Sequence, residues 1–192
     1  AAIKVVLQLN SLVGGERSDS TAWPIRLAAS AMSLGSAFVF QGTSSNPNGL
    51  RKAFAAGAAY QGPALFSIYT STGGGASILP AYLDAASALE SRALPTFVFN
   101  PANGPDLAQR MSIDGNPQDE RSWVSDIFSF MNESAEESAV ELTYSLADFL
   151  MTDSRWQEDF WVLEHGISHD TMIPLDEFLA LETDVRRNHV PY

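Results

Sequence analysis

The chain has 192 residues, 45% of them hydrophobic and 18% charged, with 10 prolines, 13 glycines and no cysteine. That length suits one domain, or one with an appendage, whose core needs neither a disulfide nor a structural metal. The net charge of −12 argues against general nucleic-acid binding, and the lack of cysteine excludes a disulfide scaffold, a zinc–thiolate site, a thiolate-held iron–sulfur cluster and a cysteine nucleophile.

Ile3 to Leu9 reads as a strand, and its aliphatic run suits one covered on both faces, as in a parallel sheet. Asn10 to Ser20 is a polar loop containing Gly14-Gly15. A helix is expected from about Thr21, with Pro24 in its first turn and Gly35 as its stop. Ala37 to Phe40 is a second strand, and Asn46-Pro47 is an N-cap followed by proline at the first helical position. The helix so opened is expected to reach about Tyr60 and to bury Leu50, Phe54 and Ala58. Gly62-Pro63 starts a third strand, Ala64 to Thr70, and an alanine-rich helix follows from Pro80 to Arg92. Thr96 to Phe99 is a fourth strand.

Alternating strands and helices predict an α/β fold with a parallel sheet, its four strands pointing the same way and its crossovers right-handed. Beyond residue 101 the pattern changes. Residues 101–122 read as a long ordered loop, 123–130 as a strand anchored by Trp123, Ile127 and Phe130, and 134–151, 153–163 and 174–187 as helices. Asp153 is expected to cap the second of these helices and Pro174 to open the third. The expected division is an α/β part over 1–101 and an acidic, mostly helical extension over 102–192 packed on it. Residues 1–100 carry four acids against six bases, whereas 101–192 carry nineteen against five. Solvated helix faces explain that imbalance, and a docking surface for a basic partner is the functional alternative. No apolar run is long enough to span a bilayer and the N-terminus has no secretory signal, so a soluble cytoplasmic protein is expected. The first strand's position at the very start and the extended residues Val190-Pro191-Tyr192 give the expectation of a piece cut from a longer chain.

In open parallel sheets ligands gather beyond the C-terminal ends of the strands. The loop Asn10 to Glu16 offers an amide, a hydroxyl and two glycines that let main chain approach a phosphate, although simple turn chemistry explains the glycines equally well. Ser71 to Ser77, with three glycines, lacks the phosphate-loop Lys-Ser/Thr ending and the spaced glycines of a dinucleotide fingerprint. Capping is enough to explain Ser45 and Asn46. His165 and His169 stand four apart, but Gly166 between them opposes a helical metal pair, and they read as a surface pair. No nucleophile elbow of a serine hydrolase is present.

The order of segments resembles one family. Ile3-Lys4-Val5-Val6-Leu7 with Ser11 and Gly14-Gly15-Glu16, then Leu50-Arg51-Lys52-Ala53-Phe54 with Tyr60 and Gly62-Pro63-Ala64-Leu65, then Ala88-Leu89-Glu90-Ser91-Arg92 and Phe97 to Pro101, are similar to successive stretches of pyruvate:ferredoxin (flavodoxin) oxidoreductases. Met111 to Pro117 resembles a subgroup of large multidomain relatives. The resemblance covers about residues 3–101. It implies part of a C-terminal thiamine-diphosphate-binding domain, in an enzyme that converts a 2-oxoacid and CoA to acyl-CoA, CO2 and low-potential electrons. Ser11, Gly14 and Gly15 match the cofactor loop. Thiamine diphosphate and Mg2+ would belong to the parent enzyme, and its iron–sulfur clusters would lie outside this chain. The implied partners are the parent's remaining domains or subunits and a ferredoxin or flavodoxin acceptor, with a homodimer among the arrangements open to it. Nucleic acid and membrane are not among them.

The sequence also departs from the family. Its magnesium-binding Gly-Asp-Gly would lie upstream of Ala1, Leu12 and Val13 stand where Asn and Thr are usual, and Glu16 replaces glutamine. Ser71-Thr72-Gly73 replaces a frequent cysteine and histidine. Leucine can neither donate nor accept a hydrogen bond. With these departures taken together, the isolated chain is expected to be inactive. The alternative expectation is a noncatalytic α/β domain that uses its acidic face for assembly.

Overall fold

A computed structural model describes residues 2–12, 23–71, 77–117, 125–131, 137–160, 171–173 and 175–191. The chain divides into two units, Ala1–Val124 with Thr143–Asp159, and Ser125–Leu142 with Phe160–Tyr192.

The first unit is built on a five-stranded sheet of order β1-β3-β2-β4-β5. Its strands are β1 (Lys4–Leu9), β2 (Phe38–Thr43), β3 (Ala64–Tyr69), β4 (Phe97–Phe99) and β5 (Met111–Ser112). Between them lie α1 (Trp23–Ser33), α2 (Pro47–Ala59), α3 (Ala81–Glu90) and the short α4 (Leu107–Arg110). β3 pairs in parallel with β1 on one side and β2 on the other. The chain moves outward from β1 to β2 and back from β2 to β3. A common crossover hand therefore requires α1 and α2 on opposite faces of the sheet. They are found there: α1 puts Ala28, Ala31 and Met32 against Val39, Phe97 and Phe99, while α2 covers Phe38, Phe40, Phe66 and Ile68.

Local signals account for these elements. Asn46 Oδ1 accepts from the Gly49 N–H at 2.9 Å, with Pro47 at the first helical position of α2. Gly35, at φ 71°, takes the left-handed conformation that closes α1, its N–H bonding to the Met32 carbonyl. The buried stripe of α2 is Ala53 and Gly57 rather than the expected Leu50, Phe54 and Ala58. A Cβ on Gly57 would lie 2.8 Å from the Phe38 ring and collide with Phe66, so small residues let the helix sit on the aromatic floor. Leu50 flanks that contact and Phe54 stacks on Phe66 at 4.5 Å from the more exposed side.

Three expectations about the sheet are corrected. β4 runs antiparallel to β2, with Gln41 opposite Phe97 and Val39 opposite Phe99, so three strands and not four point the same way. The cause lies in α3, whose Ala85 and Ala88 pack on Leu9 and Tyr69, the last residues of β1 and β3. The helix thus stays by the rim where β3 ends, Leu94 joins the same cluster, and the chain enters β4 from that rim. β1 is an edge strand rather than one covered on both faces: Ile3 is 72% and Val6 59% exposed, and only Leu9 is buried. Within the expected loop 101–122, α4 and β5 form, and β5 pairs antiparallel to β4.

Among the described residues beyond 101, strands and short helices are mixed. In the first unit, α5 (Leu146–Met151) stands where the end of the expected helix 134–151 was placed. The start of that helix is instead β7 (Glu137–Thr143), paired with β6 (Ser125–Met131) in the second unit. Val140 and Leu142 alternating with Glu141 and Thr143 satisfy the strand period. Trp123 lies outside the described residues. The expected helix 153–163 is, over its described part, a turn and one short 3-10 segment, Gln157–Asp159. Asp153 holds the Arg155 N–H at 3.0 Å, a local turn that competes with helix. The expected helix 174–187 is two, α6 (Leu175–Ala180) and α7 (Thr183–Arg186), broken where Glu182 adopts an extended conformation. They lie between β8 (Met172–Ile173) and β9 (Val190–Pro191), which pair in parallel.

Candidate functional site

The three parallel strands end at one rim, where the Thr70 N–H bonds to the Leu9 carbonyl and the Ser44 N–H to the Tyr69 carbonyl, at 3.0 and 2.9 Å. This is where ligands collect in such sheets. Ser11 follows β1 at that rim; Gly14 and Gly15, with Val13 and Glu16, lie outside the described residues, as do Gly73 to Gly75, His165 and His169.

The rim is held by buried polar groups. Asp84, 2% exposed on the first turn of α3, accepts hydrogen bonds from the Tyr69 hydroxyl and, at 2.8 Å, from Ser77 Oγ. A buried carboxyl group needs such donors. Burial first, and then the hydrogen bond to Asp84, push the Tyr69 phenol well above its ordinary value, so it remains a donor across the neutral range. Burial likewise raises Tyr144, with the Asp148 charge adding to it.

A segment after α5 straps the same rim. The Ile78 N–H donates to the Thr152 carbonyl at 2.8 Å, and Ser77 forms a β-bridge with Asp153. Arg155 donates from Nε to Asp153 Oδ1 at 2.9 Å and from Nη2 to Ser11 Oγ at 3.0 Å. Although burial alone would raise Asp153, the hydrogen bonds from Arg155 hold its carboxyl below the ordinary carboxylate range. The bond to Asp153 raises Arg155 in turn.

Of the residues expected to bind cofactor, Ser11 therefore stands at the rim with its hydroxyl engaged by Arg155. Leu12 is 8% exposed and packs in the cluster of Leu9, Tyr69, Ala85, Leu94 and Phe149. Its side chain offers no polar atom. Among the described residues no group of three or more His, Cys, Asp or Glu is placed to hold a metal ion. The rim cation, Arg155, is already paired with Asp153. Thr43 Oγ1 and Ser45 Oγ lie 2.7 Å apart, and Asn46 serves as the cap of α2, as its sequence context predicts.

Sequence reasoning did not single out Tyr69, Asp84 or Arg155 as partners at this rim. One signal was present for Asp84: it falls in line with Ala88, one turn apart on the buried stripe of α3, where a charged residue is out of place unless paired. Among the described residues no helix is long and apolar enough to cross a membrane. No known family model and no curated protein sequence matches the chain.

Proposed function

We propose that this chain is part of a thiamine-diphosphate-dependent 2-oxoacid:ferredoxin or flavodoxin oxidoreductase, inactive by itself, whose Asn10 to Glu16 loop contributes to a coenzyme site completed by other parts of the parent. The observation that supports this reading is the position of Ser11 directly after a strand parallel to β3, at the C-terminal rim of three parallel strands. The segment resemblance supplies the chemistry: the bound coenzyme attacks the ketone carbon of the oxoacid and acts as its electron sink. This chain's part would be to position it. Calorimetric titration of the full-length parent with thiamine diphosphate and Mg2+ tests the reading. Saturable heat is expected, and a flat titration overturns it.

The buried Leu12 and the Ser11–Arg155 contact favour a second reading, a noncatalytic α/β domain that keeps the sheet and docks through its acidic half. A flat coenzyme titration, together with association to the rest of the parent that weakens as salt rises, selects that reading.

A further inference from the structure

α2 covers only the β2–β3 part of its sheet face, and beside it a cavity of about 430 Å3 opens toward β4 and β5. The volume falls in the range of small-molecule sites, about 300–1,000 Å3. Phe40 and Val98 supply apolar wall, Lys52 and Asn48 come from α2, and Thr96 and Asp114 come from the residues flanking β4 and β5. This wall is built firmly. Asn116 Oδ1 accepts from the Thr96 N–H at 2.7 Å, and Asn116 Nδ2 donates to the Thr96 carbonyl at 2.6 Å and to the Ile113 carbonyl at 2.8 Å.

The Lys52 ammonium makes no ion pair or hydrogen bond among the described residues. Asp114 uses Oδ2 for Ser112 Oγ, at 2.8 Å, and keeps a carboxyl group at the cavity. One cation, one acid and an apolar wall in a single cavity select among ligands. A simple carboxylic acid has no use for Asp114, an amine none for Lys52, and a phosphate meets repulsion from Asp114.

We propose that this cavity binds a small zwitterion of the α-amino-acid class with an apolar side chain. Its carboxylate is taken by Lys52 and Asn48, its ammonium by Asp114, and its side chain rests on Phe40 and Val98. The cavity adjoins the end of β2 at Thr43 and Asn46 but takes in no residue of the Asn10 to Glu16 loop, so it stands whether or not the coenzyme reading does.

The test is a calorimetric titration of the full chain with L-phenylalanine, N-acetyl-L-phenylalanine and L-phenylalaninamide, the derivatives lacking the ammonium and the carboxylate respectively. Saturable binding of the free amino acid is expected, with each derivative weaker by about tenfold because one charge loses its partner. Lys52 and Asp114 are exposed, so Lys52→Gln and Asp114→Asn leave the fold intact. Lys52→Gln should erase the preference over the amide and spare that over the N-acetyl compound, and Asp114→Asn should do the reverse. Absence of saturable binding at concentrations of about 10 mM, well above a millimolar Kd, overturns the proposal. So does binding of both derivatives as tightly as the parent, or variants that leave the preferences unchanged.

Discussion

The two faces of the central sheet solve the same burial problem with different chemistry. Under α2 the floor is Phe38, Phe40, Ala64, Phe66 and Ile68, all apolar, and Gly57 brings the helix down onto it. On the opposite face β2 and β3 bury Gln41, Thr43, Ser67 and Tyr69 amid apolar residues, and α3 adds Asp84. An apolar face needs only shape, whereas a buried polar one needs partners, which Tyr69 and Asp84 give each other while Ser67 Oγ and Gln41 Oε1 have none among the described residues. The second face is also the one that leads to the rim. Polar groups are concentrated where the strand ends, the start of α3 and the 152–155 strap must be held in register, which hydrogen bonds do directionally and dispersion does not.

Removing the centre of the polar face should have the largest effect. Asp84→Ala deprives Tyr69 and Ser77 of their common acceptor in a buried setting and should destabilise the first unit by about 3 kcal/mol in urea unfolding. Tyr69 should then titrate closer to its ordinary value, readable by tyrosinate absorbance, because only burial and the weaker Asp153 charge would remain to raise it. A loss below about 0.5 kcal/mol, the usual size for an unremarkable surface change, would show that the two faces do not differ as described.

The apolar face should break for the opposite reason, by gain of atoms. In an exposed helix, alanine for glycine stabilises by about 1 kcal/mol. At Gly57 the new methyl meets the Phe38 and Phe66 rings, and overpacking should reverse the sign, giving a net loss of about 1–3 kcal/mol. A stabilised Gly57→Ala variant in the same unfolding measurement would mean that the helix rides higher on the sheet than these contacts require.

What could be read in the sequence follows the range of the forces involved. Asn46-Pro47, Gly35 and Gly62-Pro63 act on their neighbours, and α1, α2 and β3 lie close to where they were expected. The direction of β4 depends on α3 packing on Leu9 and Tyr69, a tertiary contact with no local signature. The buried stripe of α2 shifted because Ala53 and Gly57 look weakly apolar in sequence, yet they alone permit close approach to the rings. Over β7, glutamate, alanine and leucine favour helix locally, and pairing with β6 overrides that preference. At the rim Ser11 was legible as a loop residue after a strand. Its partner Arg155 stands 144 positions away, beyond any spacing argument.

The smallest expected effect belongs to the strap, where the ion pair is partly solvated and reaches the rim through one hydroxyl. Arg155 keeps 35% of its side-chain surface exposed, so Asp153→Asn should cost less than about 1 kcal/mol at neutral pH. Its pH dependence is more telling than its size. The Asp153 carboxyl is lower in the folded state than in the unfolded chain, so its stabilising contribution is present above the unfolded value, about 3.9, and is lost as pH falls through the folded one. The stability difference between the native chain and Asp153→Asn should therefore be level from neutral pH down to about 5 and close toward zero in the acid range below about 4. A difference that instead vanished above neutral pH would assign the effect to another group and remove Arg155 from its place between Asp153 and Ser11.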